Sequence, residues 1–372
     1  MSPFAKLDDA VANTGAPGFA AGFSAFRRSA PGLLDGRYGA GTLGLEPAAY
    51  ETAARAALAM DEAPGEAGAA AFFRSHFTLL RLLPEAGSAR RTGFLTGYYE
   101  PEIEASRVRS ERFAVPLYAR PDDLVKVDDV NRPPGMDKDF RFARRLPSGL
   151  LEEYPDRGAI ERGFLAGRGL EIAFLQSPVD AFFVHVQGSA RLRLEDGSAM
   201  RVGYAAKTGH PFTAIGRVLV ETGELTLAEA DMAGIRDWLA RHPSRLRDLF
   251  DRNRSFIFFA EHPVDAAAPG PVGAAKVPLT PLASIAVDRE RATYGVPYLI
   301  AAEGLVIEGA PFRRVVVAQD TGSAILGNAR GDLFLGSGDE AGRIAGGVRH
   351  SCDFAVFVPH RLADRLLARR GS

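Results

Sequence analysis

Three aspartates sit at the edges of short apolar runs in the last third of the chain. Asp288 follows Ser284-Ile-Ala-Val287, Asp320 follows Arg314-Val-Val-Val-Ala318, and Asp332 lies within Gly331-Asp-Leu-Phe-Leu-Gly336. Side chains alternate between the two faces of a strand, so Asp332 and Phe334 share one face. A carboxyl against an aromatic wall loses hydration, which raises its pKa. A single raised carboxyl is a candidate general acid. Aspartates also cap turns by accepting hydrogen bonds from backbone N–H groups. That is the competing reading for Asp288 and for Asp320, which Thr321-Gly322 follows.

Other chemistries find little support. There is no Walker loop, dinucleotide fingerprint, His-Glu-x-x-His pair or Gly-x-Ser-x-Gly elbow. Gly336-Ser-Gly338 has no Lys-Ser or Lys-Thr after it, and Arg330-Gly-Asp332 is an adhesion tripeptide by letters alone. The 7 histidines are scattered, with no pair at metal-ligand spacing. The single cysteine, Cys352, excludes an internal disulfide, a cysteine-based zinc site or a redox pair, and reads as a small buried thiol.

The elements that must carry these residues are mainly β. Residues 1–45 are rich in Ala, Gly and Ser, with weak periodicity. Apolar spacing predicts helix from Pro47 to Leu83, ended by Pro84. Phe94 to Tyr99 alternates as a strand in which Phe94, Thr96 and Tyr98 share one face, and Pro101 stops it. Residues 105–170 read as loops and short strands. Phe182–Gln187, Ala190–Leu194 and Met200–Val202 read as strands, with Asp196-Gly197 as a tight turn between the last two. Thr226-Leu-Ala-Glu229 has the form of a capping box, predicting a helix through Leu239 with Met232, Ile235, Trp238 and Leu239 on one face. From Ser255 onward, short apolar runs separated by Gly and Pro predict a small barrel.

At 372 residues, with 46% hydrophobic and 24% charged residues, the chain has the make-up of a folded protein of two or three domains. A formal net charge of −1 argues against a nucleic-acid partner. No window approaches the ~18 apolar residues of a membrane span. Met-Ser-Pro-Phe-Ala-Lys lacks the order of a signal peptide.

Four motifs carry a resemblance. Gly97-Tyr-Tyr-Glu-Pro101, Val186-Gln-Gly-Ser-Ala-Arg191, Asn253-Arg-Ser-Phe-Ile-Phe-Phe259 and Asp320-Thr-Gly-Ser-Ala-Ile325, the last followed by Arg330-Gly-Asp332, occur in this order. Together they resemble the membrane-bound lytic murein transglycosylase A family. The final segment, with Asp288, resembles its three-aspartate module. The resemblance implies a mainly β fold with a few helices: a double-psi β-barrel interrupted by a second β-rich domain, with a sugar groove between them. Residues 1–104 and 262–372 would form the catalytic barrel with N-terminal helices, and 105–261 the substrate-binding insert.

The family cleaves the MurNAc–GlcNAc β-1,4 bond of peptidoglycan without water, leaving a 1,6-anhydro-MurNAc end. By resemblance Asp332 is the acid/base, with Asp320 and Asp288 positioning it or stabilising positive charge. Tyr98, Tyr99 and Phe334 would stack on sugar rings, or else fill the core. Gln187 and Ser189, at a strand end, would bind hydroxyls, and Arg330 would face substrate or solvent. No metal or organic cofactor is implied. The expected partner is the glycan strand. The expected place is the periplasm or the periplasmic face of a Gram-negative outer membrane, reached through a leader or anchor upstream of Met1. Two alternatives stay open: a peptidoglycan glycoside hydrolase, which needs a second carboxylate facing Asp332, and a non-catalytic wall-binding protein.

Overall fold

The computed structural model describes residues 2–7, 18–138, 140–264 and 270–368. It divides into two compact units, Met1–Tyr99 with Ala266–Ser372, and Glu100–Asp265. The first crossing falls before residue 104 because β4 (Glu102–Ser106) pairs within the second unit, parallel to the strand that starts at Ser189.

The first unit opens with β1 (Phe4–Lys6), β2 (Phe77–Leu82) and β3 (Gly93–Glu100). In the second unit β4 is followed by β5 (Val115–Tyr118), β6 (Leu124–Lys126), β7 (Phe142–Arg145), β8 (Leu151–Glu152), β9 (Glu171–Leu175), β10 (Ser189–Leu194), β11 (Ala199–Lys207) and β12 (Ile257–His262). The chain then returns to the first unit with β13 (Ser284–Val287), β14 (Pro297–Ile307), β15 (Ala310–Asp320), β16 (Arg330–Ser337) and β17 (Arg349–Pro359).

In the first unit the strand order β17-β14-β15-β13-β16-β3 closes through pairing of β3 with β17. This is a six-stranded barrel, the closed β architecture that the sequence implies. The long β17 completes it by sharing one edge between two partners. Residues 349–352 pair with β3, and residues 355–359 pair with β2, which in turn holds β1. Closure leaves no free edge among the six strands. The second unit holds a six-stranded sheet, β12-β11-β10-β4-β9-β5, and a three-stranded sheet, β6-β7-β8.

Four local expectations are corrected. Residues 19–34, without clear periodicity, form a helix (Phe19–Leu34). Its packing face includes small residues that a hydrophobicity pattern overlooks: a Cβ on Gly22 would stand 2.5 Å from Val315 Cγ1, so the helix lies directly on β15. The helical pattern toward Leu83 stops at His76, where Phe77–Leu82 becomes β2. Its Phe and Leu spacing suits either state, and pairing with β17 decides.

Phe182–Gln187 is a helix (Pro178–Gln187), not a strand. Ser177 caps it by accepting bonds from the Val179 and Asp180 N–H groups, Pro178 opens it, and Gly188 ends it at φ 80°. Ala181 and Val184 pack into the sheet core while Phe182 and Phe183 fill a helical core. Burial on both sides removes the polar stripe by which a surface helix is recognised. The Thr226–Glu229 box is real, since the Thr226 N–H donates to Glu229 and the Glu229 N–H donates to Thr226 Oγ1, but it closes a turn. The helix that follows, Met232–Arg241, is capped by Asp231, which accepts from the Gly234 N–H at 2.8 Å.

On β16 the two faces separate cleanly. A Cβ on Gly331 would meet Ile285 and Phe354, and Leu333 is fully buried, so this face belongs to the apolar packing of the barrel. Leu333→Ala should therefore lower unfolding stability by ~2–5 kcal/mol, as for other buried leucines. Denaturant unfolding checks this, and a loss below ~1 kcal/mol would contradict the assignment of that face.

Candidate functional site

Asp320 and Asp332 come together through one alanine. Strand β13 lies between β15 and β16, and Ala286 is the register partner of Asp320 on one side and of Asp332 on the other. Directly opposed residues project to the same face. With strands ~4.8 Å apart, the two aspartate Cα atoms stand about 10 Å apart with only a methyl group between them. The row depends on a bulge. Ile285 pairs with Ala318, but Ala286 pairs with Asp320, so Gln319 is the extra residue. Gln319 is fully buried and is held by Ala25 O, Ser29 and Ser284.

Strand β3 supplies one hydroxyl to each acid. Thr96 Oγ1 donates to Asp332 Oδ1 at 2.5 Å, and the Tyr98 hydroxyl donates to Asp320 Oδ2 at 2.7 Å. Spacing of two residues puts both on one face. Gly97 between them points the other way, where a Cβ would stand 2.8 Å from Leu335 Cδ2. Asp320 Oδ1 accepts from the Ala274 N–H at 3.0 Å. Beneath the row lie Tyr98, Leu279, Ala286 and Phe334, with the Tyr98 and Phe334 rings 5.4 Å apart.

Arg330 is turned into the site rather than toward solvent. Its Nη2 donates to Thr96 Oγ1 at 2.8 Å and its Nη1 bonds the Gly331 carbonyl. The sequence leaves Arg330 open between substrate and solvent, because strand alternation places Arg330 and Asp332 on one face without saying where a long side chain ends. The result is a relay in which a guanidinium donates to a hydroxyl that donates to a carboxyl. Among the described residues Asp332 Oδ2 has no hydrogen-bond partner.

The electrostatics raise the proton affinity of both acids. Burial pushes the Asp332 carboxyl above the usual range, opposed by the Arg330 charge and the Thr96 hydrogen bond and aided by the Asp320 charge. Burial also pushes Asp320 up, against the bonds from Tyr98 and Ala274. Tyr98 is pushed far up by burial and then by Asp320, so its hydroxyl keeps its proton.

The other expected residues fall elsewhere. Asp288 takes the turn-capping role: it accepts from the Glu290 N–H at 3.0 Å and the Gly327 N–H at 2.8 Å, and pairs with Arg291. Phe334 is fully buried and Tyr98 nearly so, which makes them the wall behind the acids rather than open stacking platforms. Tyr99 faces away from Tyr98, with its ring where a Cβ on Gly342 would be. In the second unit Gln187 ends a helix, and Ser189 opens β10 opposite Gly203. Thr96 is the residue that sequence reasoning missed; its signal was its place two residues before Tyr98. Cys352 is buried, which pushes its thiol up to about 12.

A closed barrel interrupted by an inserted β unit, with an acid pair across one strand, defines a two-unit β protein with a paired-carboxyl site. The sequence matches the MltA specific insert domain over residues 94–260 and the 3D domain over residues 283–358. The chain belongs to the membrane-bound lytic murein transglycosylase A family. It is 42% identical to a membrane-bound lytic murein transglycosylase from Agrobacterium tumefaciens of known structure, with TM-score 0.84 over 92% of this chain and 94% of that one. The Escherichia coli MltA structure with bound chitohexaose is 26% identical, with TM-score 0.64 over 92% and 89%. Among curated relatives, the Vibrio cholerae membrane-bound lytic murein transglycosylase A is 31% identical over 271 residues, 71% of this chain. The match spans 65% of that relative's length.

The raised carboxyls set a sign for stability. The folded protein binds a proton at Asp332 more tightly than the unfolded chain, where the value is 3.8. Between the unfolded and folded values the native state holds more protons, so stability falls as pH rises through that window. Asp332→Asn removes this cost while leaving an oxygen for Thr96. It should melt above wild type at neutral pH, with the difference vanishing toward pH ~4. A variant that melts lower at neutral pH would contradict the desolvated acid.

Proposed function

We propose that this protein is a lytic transglycosylase of peptidoglycan, in which Asp332 serves as both acid and base. The carrying observation is the partly buried Asp332 carboxyl, raised by burial, with one oxygen fixed by Thr96 and the other open. Protonated Asp332 gives its proton to the glycosidic oxygen as the C1–O4 bond of MurNAc–GlcNAc breaks. Positive charge develops at C1. The 6-hydroxyl of the same MurNAc then bonds to C1 and passes its proton to Asp332. The acid is regenerated, no water is consumed, and the product ends in 1,6-anhydro-MurNAc.

Asp320 supports this cycle by raising the proton affinity of Asp332 and by stabilising charge at C1. Hydrolysis would require a second carboxylate to hold water or attack the sugar. Asp320 is the acid next to Asp332 in the row, and both its oxygens already accept bonds, from Tyr98 and Ala274. Pure wall binding gives no reason to keep a desolvated acid. A glycan substrate agrees with the chitohexaose bound in the Escherichia coli relative. We assign Gln187 and Ser189 in the insert as hydroxyl partners for the glycan. A peptidoglycan substrate implies export to the periplasm, and the membrane-bound relatives favour attachment at its outer membrane.

Asp332→Asn should bind glycan yet clear purified sacculi at least ~100-fold more slowly, because acid and base are lost together. Turbidity clearing measures this. Near-normal clearing would remove Asp332 from the role and pass it to Asp320.

A further inference from the structure

Phe94 shares the face of β3 that holds Thr96 and Tyr98, and two guanidinium groups lie over its ring. The Arg90 carbon is 3.7 Å from the ring centroid and the Arg330 carbon 5.4 Å. One cation on an aromatic face is a favourable contact, whereas two like charges on one ring repel. Burial disfavours the charged form of Arg330, the Asp332 charge favours it, and the charge of Arg90 adds to the effect of burial. Among the described residues neither arginine forms an ion pair, and the Arg90 side chain has no hydrogen-bond acceptor. Arg90 is exposed, with Arg91 exposed beside it, while Arg330 is anchored to Thr96 next to the reacting acid. The pair is a cationic spot with no direct ion-pair partner among the described residues, one hydroxyl away from the Asp332 carboxyl.

We propose that Arg90 and Arg330, spaced by Phe94, bind a carboxylate carried by the glycan and so select MurNAc-containing strands over neutral chitin-type chains. This rests on the reading of the protein as peptidoglycan-directed. A guanidinium matches a carboxylate in a two-pronged, charge-assisted contact. Two sources offer that group: the lactyl carboxyl of MurNAc in strands stripped of peptide, and the free carboxyls of stem peptides in strands that retain them.

The test is binding in the Asp332→Asn background, so that ligands stay intact, with and without Arg90→Ala. Three probes are used: neutral chitohexaose, peptide-free glycan strands and peptide-bearing strands. Arg90→Ala should weaken carboxylate-bearing strands about fivefold, the scale of a solvent-accessible ion pair, and chitohexaose by less than about twofold. The loss should shrink as salt rises, and Arg90→Lys should restore part of the affinity. Loss confined to peptide-free strands assigns the lactyl group, and loss confined to peptide-bearing strands assigns the stem peptide. An equal loss on chitohexaose, or no loss on either charged strand, overturns the proposal. Because the readout is binding, a failure of the wild-type protein to form anhydro ends would sink the activity assigned above and leave this result readable.

Discussion

The site rests on the register of β13. Ala286 is small enough, and placed so, that Asp320 and Asp332 face each other across it, and the bulge at Gln319 puts Asp320 rather than its neighbour in that row. A slip of one residue would send an aspartate into the apolar packing and Leu333 toward the ligand face. The buried Gln319, bonded to the Phe19–Leu34 helix and to Ser284, fixes the bulge from behind. The helix that looks least informative in sequence is thus coupled to the position of an acid.

Around that row, polar groups balance one another. Burial raises both carboxyls, while Thr96, Tyr98 and the Ala274 N–H hold them in place and limit the rise. Arg330 reaches Asp332 through a hydroxyl instead of by direct pairing. A direct bidentate pair would hold the carboxylate charged, against the rise that burial gives it. Distance through Thr96 keeps orientation and weakens that pull.

Much of this was legible in the residues. Asp332 with Phe334 on one face and the alternation of β3 follow from period-two geometry, and the turn role open to Asp288 follows from the way aspartate accepts backbone N–H bonds. The Asp320–Asp332 row was not legible, because it depends on the non-local pairing of β13 with two strands and on a bulge. The helix at Pro178–Gln187 escaped because two cores bury its sides. The sequence leaves Arg330 open between substrate and solvent, because a long side chain can reach back from either a wet or a buried face; its bond to Thr96 decides.

The central claim is a single carboxyl that donates and then retakes one proton, with no water entering the sugar. Digestion of purified sacculi in 18O-enriched water, followed by mass spectrometry of the soluble muropeptides, tests it directly. The expected products are anhydro ends, lighter by one water than the hydrolysed form and free of 18O at C1. Products bearing 18O at C1 would contradict it and make Asp320 the partner of a hydrolase.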